Sequence, residues 1–160
     1  MSTSERQEME QFLHEETIGY LGLSVDGAPY VVPLNYAYDA GRIVFHCATA
    51  GKKLDYLKRN PQVCFTVGRQ AGIVRRHADM DPCHVDSDSV ICYGQARVIE
   101  DLDERKEVLD TFNWSFTPDA EGISLDAVAK CCAVVVEISE MTGRRERERK
   151  RTHWTYRFDK

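Results

Sequence analysis

The chain has 160 residues, a net charge of −5 and 42% apolar content, which suits one globular domain over 1–160 built on one core. The acidic balance argues against general nucleic-acid binding. No apolar run approaches the roughly 20 residues of a membrane span, and Met1 to Thr17 is charged with no apolar signal core, so the expectation is a cytoplasmic protein that engages neither membrane nor nucleic acid.

Ser4 to Gln7 has the form of a capping box, and Met9, Phe12 and Leu13 follow at helical spacing, predicting an amphipathic helix ending near Thr17. Ile18 to Val25 is a predicted strand, and Asp26-Gly27 a hairpin turn, because glycine takes positive φ without steric cost. Tyr30 to Tyr38 alternates, with Val32, Leu34, Tyr36 and Tyr38 on one side and Pro33 interrupting. Proline cannot donate to a ladder, so Pro33 needs a bulge or an outward-facing nitrogen. Asp39-Ala-Gly41 turns the chain into a strand from Arg42 to Ala48, and Leu54 and Leu57 mark one face of a helix stopped by Asn60-Pro61.

Further strands are predicted at Gln62 to Gly68, Ser89 to Ile99, Cys132 to Ile138 and Thr152 to Phe158, where Trp154, Tyr156 and Phe158 alternate. Helices are predicted at Asp101 to Phe112 and Ser124 to Lys130. About seven strands joined by short turns pair mostly antiparallel. The fold class is mainly β, and so many alternating strands in a short chain favour a closed barrel, which removes exposed edges.

Of six cysteines, Cys64 and Cys92 sit in apolar runs as small buried hydrophobes, and no Cys-x-x-Cys pair occurs, so neither a disulfide framework nor a zinc site is expected. Arg144 to Arg151, RRERERKR, is expected to be a solvated connection between strands. His77 to Asp86 is rich in metal-ligating residue types, but adjacent Cys83 and His84 chelate one ion poorly, so a polar loop and no metal are expected.

Thr49-Ala50-Gly51-Lys52-Lys53 links a strand to a helix. A helix start presents unpaired amides and a partial positive charge, Gly51 allows close backbone approach, and the lysines add formal charge, a combination suited to phosphate. The Walker A pattern does not fit, since His46 stands where its first glycine belongs and Lys53 where its Ser or Thr belongs. A single terminal phosphate is the expected ligand, although two lysines in a first turn also suit plain solvation.

Gly27-Ala-Pro-Tyr30, Pro33-Leu-Asn-Tyr36, Phe45-His46, Gly51-Lys-Lys53-Leu-Asp55 and Asn60-Pro61, in this order, with Ser89-Val90 and Gly94-Gln-Ala96 later, resemble the nitroimidazole-resistance branch of the pyridoxamine 5′-phosphate oxidase-like superfamily. The resemblance spans roughly residues 12 to 100 and fits less well after Gly143. It implies an antiparallel split barrel of six to seven strands, of the FMN-binding type, forming a homodimer with each FMN site built from both chains. In the oxidase branch a Ser-Arg-Lys turn holds the FMN phosphate, and Gly51, Lys52 and Lys53 are the matching positions. His46, Cys47, Ala48 and Thr49 match the strand along the flavin ring, and Pro33, Leu34 and Asn35 its neighbour. Ser89 and Val90 match a strand that reaches the cofactor from the partner side.

Oxidases of this family carry a C-terminal Arg-x-Trp-type motif for substrate phosphate. Here Trp154 and Arg157 come in reverse order, so pyridoxine 5′-phosphate is not the expected substrate. The function implied is a flavin-dependent oxidoreductase acting on a small organic acceptor such as a nitroaromatic, with His46 as the candidate catalytic residue. Haem or deazaflavin are the alternative cofactors, and a binding module without turnover, or a regulatory protein with an empty barrel, the alternative functions. The flavin carries the redox chemistry in such a protein, which accounts for the lack of an acid–base or nucleophile constellation.

Overall fold

A computed structural model gives the structure of the chain, and it describes residues 3–72, 85–147 and 150–159. Eight strands form one antiparallel sheet: β1 (Ile18–Val25), β2 (Ala28–Asn35), β3 (Ala37–Asp39), β4 (Arg42–Cys47), β5 (Gln62–Gln70), β6 (Ser87–Val98), β7 (Cys132–Arg147) and β8 (Lys150–Arg157). Their order is β2-β1-β5-β6-β7-β4-β3, with β8 also paired to β7. Among the described residues, four helices accompany them: α1 (Thr3–Glu15), α2 (Lys52–Arg59), α3 (Leu102–Phe116) and α4 (Leu125–Val128). No helix among the described residues is long and apolar enough to cross a membrane.

The sheet curls around a core of alternating inward side chains. Leu21 and Leu23, Phe65 and Val67, Val90 and Cys92, and Val134 and Val136 meet Met9, Phe12 and Leu13 of α1 and Leu54 and Leu57 of α2. A second core lies on the other side of β4 and β7, where Val44, Ala133 and Val135 pack on Val108 and Leu109 of α3 and Val128 of α4. Those two strands are covered on both faces, which explains their unbroken apolar runs. Tyr36 donates its hydroxyl to Leu13 O at 2.8 Å and Tyr38 donates to Glu10 Oε1 at 2.6 Å, tying α1 over the barrel. Burial is the main reason that both phenols are pushed well above their ordinary pKa.

Several expectations need correction. The predicted strand from Tyr30 to Tyr38 is two strands broken at Tyr36, whose amide turns to Thr17 O at 3.4 Å. β2 and β3 therefore end the sheet order, and the barrel is split, as the family resemblance implies, rather than closed by hydrogen bonds as the strand count alone suggests. Pro33 sits on that edge in unbroken register with Tyr20, so it needs no bulge, only an outward nitrogen. α1 already includes Thr3, so Ser4 lies within the helix and not at its cap.

The largest difference is β7, predicted to stop at Ile138 but continuing to Arg147. Opposite the step from Tyr93 to Gly94 the register slips by one residue, leaving Ser139 unpaired in a bulge, and its hydroxyl donates to Tyr93 O at 3.0 Å. Gly94 is required there, because a Cβ would lie 2.1 Å from Glu137 O. The basic segment, expected as a solvated connection, supplies the end of β7 and the start of β8. Its arginines converge on two acidic side chains. Arg147 Nη2 and Arg145 Nε meet the buried Asp88 at 2.7 and 3.2 Å, with Arg69 at 3.4 Å. Glu146 pairs with Arg144, and with Arg151 at 3.2 Å.

Candidate functional site

The end of β4 positions the candidate site. Ile43 and Phe45 point into the main core and Val44 into the α3 core, so the strand is fixed from both sides up to Cys47. Ala48 to Gly51 then form an exposed turn. Gly51 has φ 139° and ψ 167°, a conformation that L side chains rarely adopt. A Cβ there would meet nothing within 4 Å, so the torsion and not crowding demands glycine. Gly51 is also the N-cap of α2 and brings no side chain to cap it. The first-turn amides of α2 are therefore not capped by the N-cap side chain, and they lie at the positive end of the helix dipole.

Two cations flank those amides. Lys52 Nζ lies 4.5 Å from the centroid of the Tyr30 ring and 5.5 Å from that of Tyr56. Lys53 Nζ lies 5.2 Å from the Phe45 ring. Neither pairs with a carboxylate among the described residues; their neighbours are aromatic faces, which hold an ammonium by the ring quadrupole without neutralising it.

Together these groups line a cavity of about 200 Å³, with Tyr30 and Val32 contributed by β2, Cys47 and Ala48 by the end of β4, and Gly51, Lys52 and Lys53 by the turn. Burial pushes the Cys47 thiol above its ordinary pKa, with Lys53 opposing and the neighbouring thiols of Cys132 and Cys131 reinforcing the shift. The cavity is smaller than the roughly 300–1,000 Å³ of sites that enclose a whole drug-sized molecule. It has room for an anionic head group and leaves a fused ring system outside.

The other expected site residues are distributed around this cavity. Leu34 is half-buried on the inner side of β2, while Pro33 and Asn35 are exposed on the outer side, Asn35 Nδ2 donating to Thr17 O at 3.0 Å. Thr49 is exposed in the turn. His46 alternates away from Cys47 onto the α3 side of β4, exposed, with its ring edge-on to Phe112 at 4.9 Å. Ser89 lines a separate cavity of about 360 Å³ on the outer face, with Ile91, Thr142, Arg144 and His153. Val90 is buried in the core between Val67 and Gly143, leaving only its main chain for a ligand.

Tyr30 and Val32 escaped selection as site residues. Only the β1–β2 hairpin, set by Asp26-Gly27, carries them to α2, and the local sign was a tyrosine inside the matching motif. Among the described residues no group of three or more His, Cys, Asp or Glu side chains could hold a metal. The segment from His77 to His84 lies outside the described residues.

The outer face of β2-β1-β5-β6 carries uncharged, largely apolar rows in its middle, flanked by polar Gln62, Gln95 and Ser89 and by the charged Arg97. One cross-strand row reads Pro33, Tyr20, Thr66, Ile91 and the next Val31, Gly22, Cys64, Tyr93. Val31 is 60% exposed, Ile18 55% and Tyr20 46%.

A curled antiparallel sheet, split at one edge and carrying a cationic cavity at a strand–helix turn, defines a split-barrel protein. A sequence profile described as pyridoxamine 5′-phosphate oxidase matches residues 5–145, and the chain belongs to that family. A candidate 5-nitroimidazole antibiotic resistance protein from Bacteroides thetaiotaomicron is 30% identical over 86% of this chain and 82% of its own, with a TM-score of 0.76. A FAD-binding protein from Mesorhizobium loti is 26% identical over 92% of this chain and 96% of its own, at 0.66. A FAD and haem binding protein from Mycobacterium smegmatis shares the fold at 19% identity, covering 83% and 66%, at 0.70. No curated protein matches the chain.

Proposed function

We propose that the chain is an FMN-binding oxidoreductase that works as a homodimer, reducing a small organic acceptor such as a nitroaromatic. The observation that carries this reading is the cavity where the uncapped start of α2 meets Lys52 and Lys53. The amides and ammonium groups suit the FMN phosphate, which keeps a charge near −2 and three strong acceptor oxygens at neutral pH. FMN, once bound, supplies the two-electron chemistry.

The chain's own residues would bind and orient. Gly51 lets main-chain amides approach the phosphate, and Tyr30 and Phe45 hold the lysines without neutralising them. β2 is an edge strand, so Asn35, alternating with Leu34 and on the same outward side as Pro33, has main-chain groups free for a ring edge, while Pro33 has no N–H to donate. A cavity of about 200 Å³ leaves the ring outside, so a second wall is required. The exposed apolar rows of the outer face would supply a contact through which a partner chain brings one, with Ser89 on the same face as a candidate polar group. The Mesorhizobium loti relative, named as FAD-binding, supports a flavin. Haem is the second reading, favoured by the exposed imidazole of His46 beside Phe112.

The test is an absorption spectrum of purified protein, followed by titration with FMN, riboflavin, deazaflavin and haem. Flavin bands at one per chain, with FMN bound more tightly than riboflavin, are expected. Binding of haem alone, with a Soret band lost in His46→Ala, would replace the FMN reading, and no binding of any of them would remove both. Light scattering should give a dimer, and Tyr20→Arg combined with Val31→Asp should give a folded monomer.

A further inference from the structure

Beyond the cofactor reading, and independent of it, we infer that Cys47 and Cys132 form a redox-active thiol pair that closes reversibly into a disulfide at the edge of the lysine cavity. The two residues are direct partners in the antiparallel ladder between β4 and β7. Directly opposed side chains share a face, and their Cβ atoms lie about 4.5–5.5 Å apart. A disulfide needs about 3.5–4.5 Å between Cβ atoms and about 4.4–6.8 Å between Cα atoms. Side-chain rotation brings the sulfurs together but leaves the Cβ separation unchanged, so closure also requires the ends of β4 and β7 to approach by about 1 Å.

Burial agrees with the register. Both thiols are free, half-buried and packed against the main core, on the cavity side of the sheet. Cys47 lines the cavity itself. The remaining described cysteines have no such partner. Cys131 packs in the α3–α4 core on the opposite face, its thiol donating weakly to Ala127 O at 3.9 Å. Cys92 is buried inside the barrel opposite Phe65, and Cys64 points outward opposite Tyr93.

The oxidant class is a peroxide. One thiolate attacks a peroxide oxygen, the O–O bond breaks, and a sulfenic acid and one water form. The second sulfur then attacks the sulfenic sulfur, the S–S bond forms and a second water leaves. In total, two thiols and one hydrogen peroxide give one disulfide and two waters, with two electrons passing from sulfur to oxygen. A small dithiol reverses the bond by exchange. Burial holds Cys47 in its thiol form, so the reaction is expected to quicken as pH rises above neutral. Closure would tie the last residue of β4 to the first of β7, immediately before the turn that carries Gly51, Lys52 and Lys53.

The experiment treats the full chain, free of cofactor, with hydrogen peroxide, alkylates remaining thiols and maps peptides by mass spectrometry under non-reducing conditions. The expected result is a mass lower by two hydrogens and a linked Cys47–Cys132 peptide, both reversed by dithiothreitol. The link should persist in Cys131→Ser and vanish in Cys47→Ser and Cys132→Ser. Should either serine variant fail to fold, alkylation of the wild-type chain decides alone, since oxidation must protect Cys47 and Cys132 together. A Cys131–Cys132 link, a cross-link between chains, or overoxidation of separate thiols would overturn the inference. Because no flavin is present, none of these outcomes bears on the cofactor reading.

Discussion

Changing Lys52 and Lys53 together to alanine should weaken FMN about 100-fold while leaving riboflavin within about 3-fold. Two unit charges about 4 Å apart interact by about 1 kcal/mol in water and about 4 kcal/mol near a protein surface. Lys52 is exposed, so its share lies near the lower figure; Lys53 is half-buried over Phe45, so its share is about 2 kcal/mol. The sum is about 3 kcal/mol, or about two decades in Kd. The uncapped amides of α2 remain in the variant, so binding should fall without disappearing. Calorimetry or flavin fluorescence quenching at two salt concentrations would read it, and the preference for FMN should itself shrink at high salt, because exposed charges are screened. Equal losses for FMN and riboflavin, or a loss for FMN below about 5-fold on this arithmetic, would refute the placement of the phosphate between the lysines.

Three further outcomes test the fold. Gly94→Ala should cost about 3 kcal/mol or more, because its Cβ would press on the Glu137 carbonyl, which the β7 bulge holds in place; an unchanged urea midpoint would contradict that packing. Ala40→Asn should stabilise by about 0.5–1 kcal/mol, since Ala40 sits at φ 46° in a two-residue hairpin turn before Gly41, where Asn-Gly is favoured; a lowered melting temperature would count against it. Burial opposes the charge on Asp88, but hydrogen bonds from Arg147 and Arg145 outweigh it and hold the carboxyl below its usual range. A carboxyl whose folded pKa is depressed gives its full contribution above its unfolded value of about 3.9 and loses it as pH falls through the folded value. Asp88→Asn should therefore be about 1–3 kcal/mol less stable at pH 7, discounted because its arginine partners are partly exposed, and the gap should narrow below about pH 4. A gap independent of pH would refute the assignment.

Elements with a local signature were legible in the sequence. Leu54 and Leu57 with Asn60-Pro61 marked α2, Asp26-Gly27 marked the first hairpin, and Gly51-Lys52-Lys53 marked the turn that lines the cavity. What escaped depends on distant partners. Arg144 to Arg147 looked like solvated chain because the carboxylate that lets arginines continue a strand is Asp88, on a different strand. The bulge at Ser139 further hid β7, because it shifts the inward positions by one and breaks the alternation. The break at Tyr36 escaped because both halves keep the same inward period, and only the amide turning to Thr17 O separates them. Tyr30 could not be assigned to the cavity from its neighbours in sequence, since only the hairpin brings it to Lys52.

The β3–β4 hairpin reaches the rest of the sheet through one ladder, that with β7. On the ribosome, Ile43 and Phe45 would thus be made some ninety residues before the segment that shelters them. Until Cys132 to Arg147 emerges, an exposed, strongly apolar hairpin edge stands ready to pair with a neighbouring nascent chain. The molecule's main hazard of aggregation is accordingly one of timing, and it should respond to chaperone supply during synthesis more than to the stability of the finished barrel.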